Sequence, residues 1–184
     1  MSIEVFLVQA LNGLSNASSL FFLSAGLSLI FGVTRIVNMA HGSLYMLGVY
    51  IAYTFAAKIG GVGGFWGGSI VTALLIAAMG ALIEMLLLRR IYHAPELFQL
   101  LATFALLMVL SDVVLGIWGP EDLFSPRAPG LKGAVEILGR QVPEYDLFLI
   151  VVGPIVLGAL HLVLSRTRWG TLVRAATQDR EMVG

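Results

Sequence analysis

The residues FGVTRIVNMAHGSLYMLGVY, Phe31–Tyr50, join one long apolar run to the next. Polar and special residues crowd into Arg35, Asn38, His41, Gly42 and Ser43, whereas Val5–Thr34 and Ile36–Ala57 carry no Asp, Glu, Lys or Arg. Polar or broken backbone between two apolar spans is tolerated at membrane depth only where it packs in protein or lines a cavity. The break therefore predicts a membrane protein with this stretch on or beside a solute path. Asn38, His41 and Gly42 are the candidate path residues. Three residues apart, Asn38 and His41 would share a helix face. His41 is either a satisfied packing histidine or a group that shapes the path. Gly42 would allow a close backbone approach that a Cβ would obstruct.

Composition agrees with a bilayer setting. The chain is 58% hydrophobic and 12% charged, with a mean hydropathy of +0.92, against about 25% charged in an ordinary soluble domain. A net charge of zero leaves no electrostatic footprint for nucleic acid. Without cysteine there is no disulfide framework and no Cys-based metal site. The start, MSIEVFLVQAL, carries Glu4 and no basic region, so its apolar run reads as a retained helix rather than a signal peptide.

A crossing helix needs about 20 mostly apolar residues. Stretches near 6–31, 39–57, 65–88, 97–118 and 147–164 qualify, which predicts an all-α polytopic protein with about five transmembrane helices. Glycines at 60, 61, 63 and 64 predict a tight turn, and the prolines of Gly119–Asp146 argue against a continuous helix there. The positive-inside rule puts Arg35, Arg89, Arg90, Arg166, Arg168, Arg174 and Arg180 on the cytoplasmic side. Lys58, Arg127, Lys132 and Arg140 then lie outside, with the N-terminus. Small residues at four-residue spacing, Ser24, Ser28 and Gly32 with Ala77 and Ala81, predict close helix packing, within the chain or against another subunit.

Enzyme motifs are missing. There is no Gly-Lys dipeptide and hence no P-loop, no HExxH and no Gly-x-Ser-x-Gly elbow, and His41, His93 and His161 lie far apart. Among ionisable residues within spans, Glu84 is placed to pair with Arg89, Asp112 to reach the outer interface, and His161 to sit at the inner one. In Arg166–Gly184, Trp169, Leu172, Val173 and Ala176 fall on one helix face. That pattern suits a helix on the inner leaflet or one seated on a partner.

Three stretches carry a family resemblance: GLSLIFGVTRIVNMAHGSLYMLGVYIAY, IEMLLLRRIYHAPELFQLLATFALLMVLSDVVLGIWGPE and SRTRWGTLVRAATQDREMVG. In that order they resemble the LivH-type permeases, the membrane subunits of ATP-binding-cassette importers for branched-chain amino acids. Arg90 stands where many members have proline. The resemblance implies a transport subunit rather than an enzyme, with no cofactor of its own, in the inner membrane of a bacterium. It implies that residues 1–184 form the N-terminal part of one permease domain in a truncated chain. Its partners would be a second, LivM-like permease subunit, two cytoplasmic ATPases, a periplasmic substrate-binding protein and membrane lipid. By the same resemblance, Ala175, Ala176, Asp179 and Glu181 fall in a cytoplasmic coupling segment, 166–184, that contacts the ATPases. Urea and short amides are alternative substrates, since related permeases share this core. An ion-coupled secondary transporter and a non-transporting scaffold are the competing classes.

Overall fold

The computed structural model describes residues 3–34, 37–124, 127–137 and 139–178. Long apolar runs with few charges become long helices, because a backbone that satisfies its own hydrogen bonds suits hydrocarbon. They are α1 (Ile3–Thr34), α2 (Ala40–Ile59), α3 (Gly68–Ile83), α5 (Glu96–Trp118) and α6 (Glu144–Arg166), which keeps Pro154 within it. The short α4 (Arg89–Ile91) continues α3 through a π turn at Glu84–Leu88, and another π turn, Gly63–Gly67, precedes α3. Together they make one span, Gly63–Ile91. A final helix, α7, covers Arg168–Gln178.

Four spans, Val5–Thr34, Gly63–Ile91, Glu96–Trp118 and Glu144–Arg166, are long and apolar enough to cross a membrane. The fifth expected span, α2, is helical over 20 residues but is less apolar, diluted by His41, Ser43 and three tyrosines. The connection after α5 is not a continuous helix, as its prolines predict. It holds a two-stranded antiparallel hairpin, β1 (Ala134–Ile137) with β2 (Arg140–Pro143), in the register Ala134↔Pro143 to Ile137↔Arg140. The fold is thus α-helical with one small hairpin.

The chain divides into two compact units, residues 36–130 and residues 1–35 with 131–184. In the first, α2 packs against both α3 and α5. Gly60 and Gly61 turn the chain at positive φ, 69° and 60°, a region an L side chain enters at a cost. Gly68 then meets α2 so closely that a Cβ there would lie 2.5 Å from Phe55 Cβ. Further along, Gly48 faces Thr72 and Ile76, so α2 and α3 are antiparallel. Against α5 the direction is reversed. The Thr103 hydroxyl donates to Val37 O (3.3 Å) just before α2, and the Trp118 indole donates to Thr54 Oγ1 (2.8 Å) near its far end. Helices α2 and α5 are therefore parallel. Leu47, Leu110 and Val114 form the core between them.

In the second unit α1 and α6 are parallel. Ser15 Oγ donates to Asp146 Oδ1 (3.0 Å), and Gly153 seats Ser18, whose Oγ lies 2.5 Å from where a Cβ would be. Within the chain, the α1 serines buried in this contact are Ser15 and Ser18 rather than those of the expected stripe. Ser24, Ser28, Ala77 and Ala81 are exposed, and Gly32 alone of that set faces another helix, at Thr177. The hairpin is clamped to the start of α6 by Glu144, whose carboxylate accepts from Gly133 N–H (3.1 Å) while its own N–H donates to Gly133 O (3.1 Å).

Candidate functional site

The break at Asn38–Ser43 folds as a helix start, as its polar content predicts. Asn38 is buried, and its Oδ1 accepts the Ala40 N–H at 3.1 Å. This local side-chain bond satisfies one of the amides that every helix N-terminus leaves open. Asn38 O accepts the His41 N–H (3.2 Å), and the Ser43 hydroxyl donates to Ala40 O (2.9 Å). Asn38 and His41 are thus joined through backbone at the first turn, with His41 half-buried beside them. Gly42 lies on the exposed side, and a Cβ there would meet nothing within 4 Å. The close approach expected at Gly42 is not made by the described residues.

Two buried polar residues of α5 hold the chain nearby, Thr103 at this start and Gln99 at the turn before α5. Thr103 is fully buried and holds Val37 O as described. Gln99, buried one turn earlier on α5, donates through Nε2 to Ala94 O (2.7 Å) and Tyr92 O (3.2 Å). Neither stands out in sequence, because a single Thr or Gln in an apolar run also suits a lipid-facing or back-bonded position. Glu84 is a correction. Its carboxylate accepts from the Tyr92 hydroxyl, across the π turn, rather than pairing with Arg89. The π turn at Glu84–Leu88 and the short α4 lie between the two residues. Asp112 and His161 are exposed on α5 and α6.

The other candidate segment is α7. Thr167 acts as its N-cap, with Oγ1 accepting the Gly170 N–H at 3.1 Å. Arg174 reaches back to donate to Leu164 O, one of the open carbonyls at the end of α6. Gly170 packs directly on Leu164 and Val163, with no room for a side chain. Trp169 and Leu172 are exposed, at 77% and 56%, and Val173 and Ala175 are half-buried. Ala176 lies in the helix, whereas Asp179 and Glu181 fall outside the described residues.

Apolar helices exposed along much of their length, a polar helix start held by buried Asn38 and Thr103, and a short amphipathic helix clipped to a span end together define a multi-pass helical membrane protein. The chain belongs to the family described as "Branched-chain amino acid transport system / permease component", whose model matches residues 9–184. Among curated proteins it is similar to the high-affinity branched-chain amino acid transport system permease protein LivH of Salmonella typhimurium, 24% identical over 186 residues. The match covers 96% of this chain and 60% of that relative. It is also similar to BraD of Pseudomonas aeruginosa, 28% identical over 190 residues, covering 96% of this chain and 61% of the relative. LivH of Escherichia coli is 24% identical, with 96% and 60% covered. The chain thus spans about three-fifths of the length of these relatives. No solved structure matches it significantly.

Proposed function

We propose that the chain is a permease subunit of an ATP-binding-cassette importer that moves branched-chain amino acids, or a related small polar solute, across a bacterial inner membrane. Family membership over residues 9–184 carries this reading. The relatives' names supply the substrate class. Urea and short amides are the alternative substrates. Energy comes from partners, two cytoplasmic ATPases, and solute from a periplasmic binding protein, with a second permease subunit completing the path. Residues 1–184 form part of one permease domain, with 166–184 as the coupling segment. Asn38, His41 and Gly42 lie beside the path. A polar start within an apolar helix supports that role, because it offers hydrogen-bonding groups where lipid offers none. Ala175, Ala176, Asp179 and Glu181 contact the ATPase. The exposure of Trp169 and Leu172 on α7 supports a seated helix, which transmits rigid-body motion to the span it is clipped to.

The test is ATP-driven uptake of labelled leucine by proteoliposomes holding the chain with its ATPases and binding protein. Uptake should require ATP inside and the binding protein outside, and survive collapse of ion gradients. Uptake that follows an ion gradient without ATP establishes the secondary-transporter reading instead. Charge reversal at Asp179 together with Glu181 should leave ATP hydrolysis running while uptake is lost, or release the ATPase.

A further inference from the structure

At the end of α2 remote from Asn38 lies a groove of about 350 Å³, lined by Val49, Tyr50, Tyr53, Asp122, Leu123 and Phe124. Its volume falls in the range of small-molecule sites. The lining combines one carboxylate, two phenols and three apolar side chains, with no cation. Among the described residues, Asp122 makes no ion pair or hydrogen bond, and neither do the hydroxyls of Tyr50 and Tyr53. The α2 side of the wall is fixed, while Leu123 and Phe124 are exposed. The Tyr50 ring packs on Trp118 with centroids 5.4 Å apart, and the Trp118 indole is held by Thr54.

Uncompensated negative charge beside aromatic faces attracts a cation, since the carboxylate and the ring quadrupoles act in the same direction. The apolar walls favour a hydrocarbon body attached to that cation. We propose that this groove is a docking site for a primary ammonium carrying a branched apolar chain, with Asp122 taking the ammonium and Val49, Leu123 and Phe124 the hydrocarbon. The proposal rests on the permease reading and names the part of the substrate that is recognised here. With no cation in the lining, the groove reads the amine and the tail and is indifferent to a carboxylate. An exposed ion pair contributes little in water, so affinity is weak, on the order of millimolar. Weak holding suits a relay point, where a solute must leave as readily as it enters.

Trp118, stacked on the groove wall, supplies the signal. The chain with Trp66→Phe and Trp169→Phe, in lipid nanodiscs, is titrated with L-leucine, 3-methylbutylamine and 4-methyl-2-oxopentanoate. Leucine and the amine should change Trp118 fluorescence with similar midpoints, and the keto acid should not. Asp122→Asn should weaken amine binding about two- to fivefold, as expected for an exposed charge pair, whereas Glu121→Gln, a neighbouring carboxylate outside the groove, should not. Equal binding of the keto acid, or an unchanged midpoint in Asp122→Asn, overturns the assignment. In proteoliposomes, Asp122→Asn should raise the leucine concentration needed for half-maximal uptake. Amine binding that depends on Asp122 in a complex that imports no leucine keeps the groove and sinks the permease reading. Leucine import that ignores Asp122 does the reverse.

Discussion

Two glycines show how differently one residue type is used. Gly153 seats Ser18 of α1, and any Cβ there would collide with the serine side chain. Gly153→Leu should therefore part α1 from α6 and cost about 1–3 kcal/mol, the usual cost of overpacking. A lowered unfolding midpoint of the detergent-solubilised chain would register it. Gly42 faces open space within the chain. Gly42→Leu should leave that midpoint and membrane insertion unchanged while reducing uptake by the assembled transporter. Normal uptake would remove Gly42 from the path. Thr72 presents a third case, a buried hydroxyl without a partner among the described residues. Its isostere should do better: Thr72→Val is expected to stabilise by about 1 kcal/mol, since an unpaired buried hydroxyl costs about 1–3. A lower unfolding midpoint in that variant would show that the hydroxyl is in fact bonded.

Among the elements, α7 is held to the end of α6 by the Thr167 cap, the Arg174 bond to Leu164 O and the close packing of Gly170, and it also meets α1 where Thr177 faces Gly32. A hydrogen bond from a charged donor contributes about 1.5–3 kcal/mol. Arg174→Leu should speed amide exchange across Thr171–Arg174 about tenfold or more, by allowing local opening, and Gly170→Ala should do the same. Unchanged exchange in both would mean that α7 is held from elsewhere. The amphipathic pattern of this helix is legible in sequence because the period of its apolar residues is 3.6. The long helices are legible too, within a few residues at each end, because uncharged apolar runs leave the backbone no alternative in lipid. The hairpin is not legible. Its strands are four residues each, too short for a period, and they are fixed to α6 by Glu144, a contact no local pattern encodes. The helix start at Asn38 can be read from its polar cluster, whereas its support by Thr103 joins residues 66 apart. The groove likewise unites α2 with residues beyond α5.

Across the whole molecule, the helix directions within each unit accord with one crossing per span: α2 and α5 run one way and α3 the other. Single crossings in chain order, with Arg89 and Arg90 inside, put the hairpin outside and α7 inside. Cysteine at Glu136 should then react with an impermeant thiol reagent added to intact cells, and cysteine at Arg174 should react only after lysis. The native sequence has no cysteine, so labelling reports the introduced site alone. The reverse pattern would invert the orientation of every span.

The weaker hydropathy of α2, set against its central place in its unit, bears on biogenesis. A helix that partitions poorly into lipid does not leave the translocon readily by itself. Its half-buried His41, Tyr50 and Tyr53 sit in a helix whose packing partners in this unit, α3 and α5, are made later. The turn at Gly60–Gly61 delivers α2 together with the strongly apolar span behind it, as a hairpin. The second flank arrives only with α5, when Thr103 and Trp118 close on the two ends of α2. With α5 in place, α2 is flanked on two sides, by α3 and by α5.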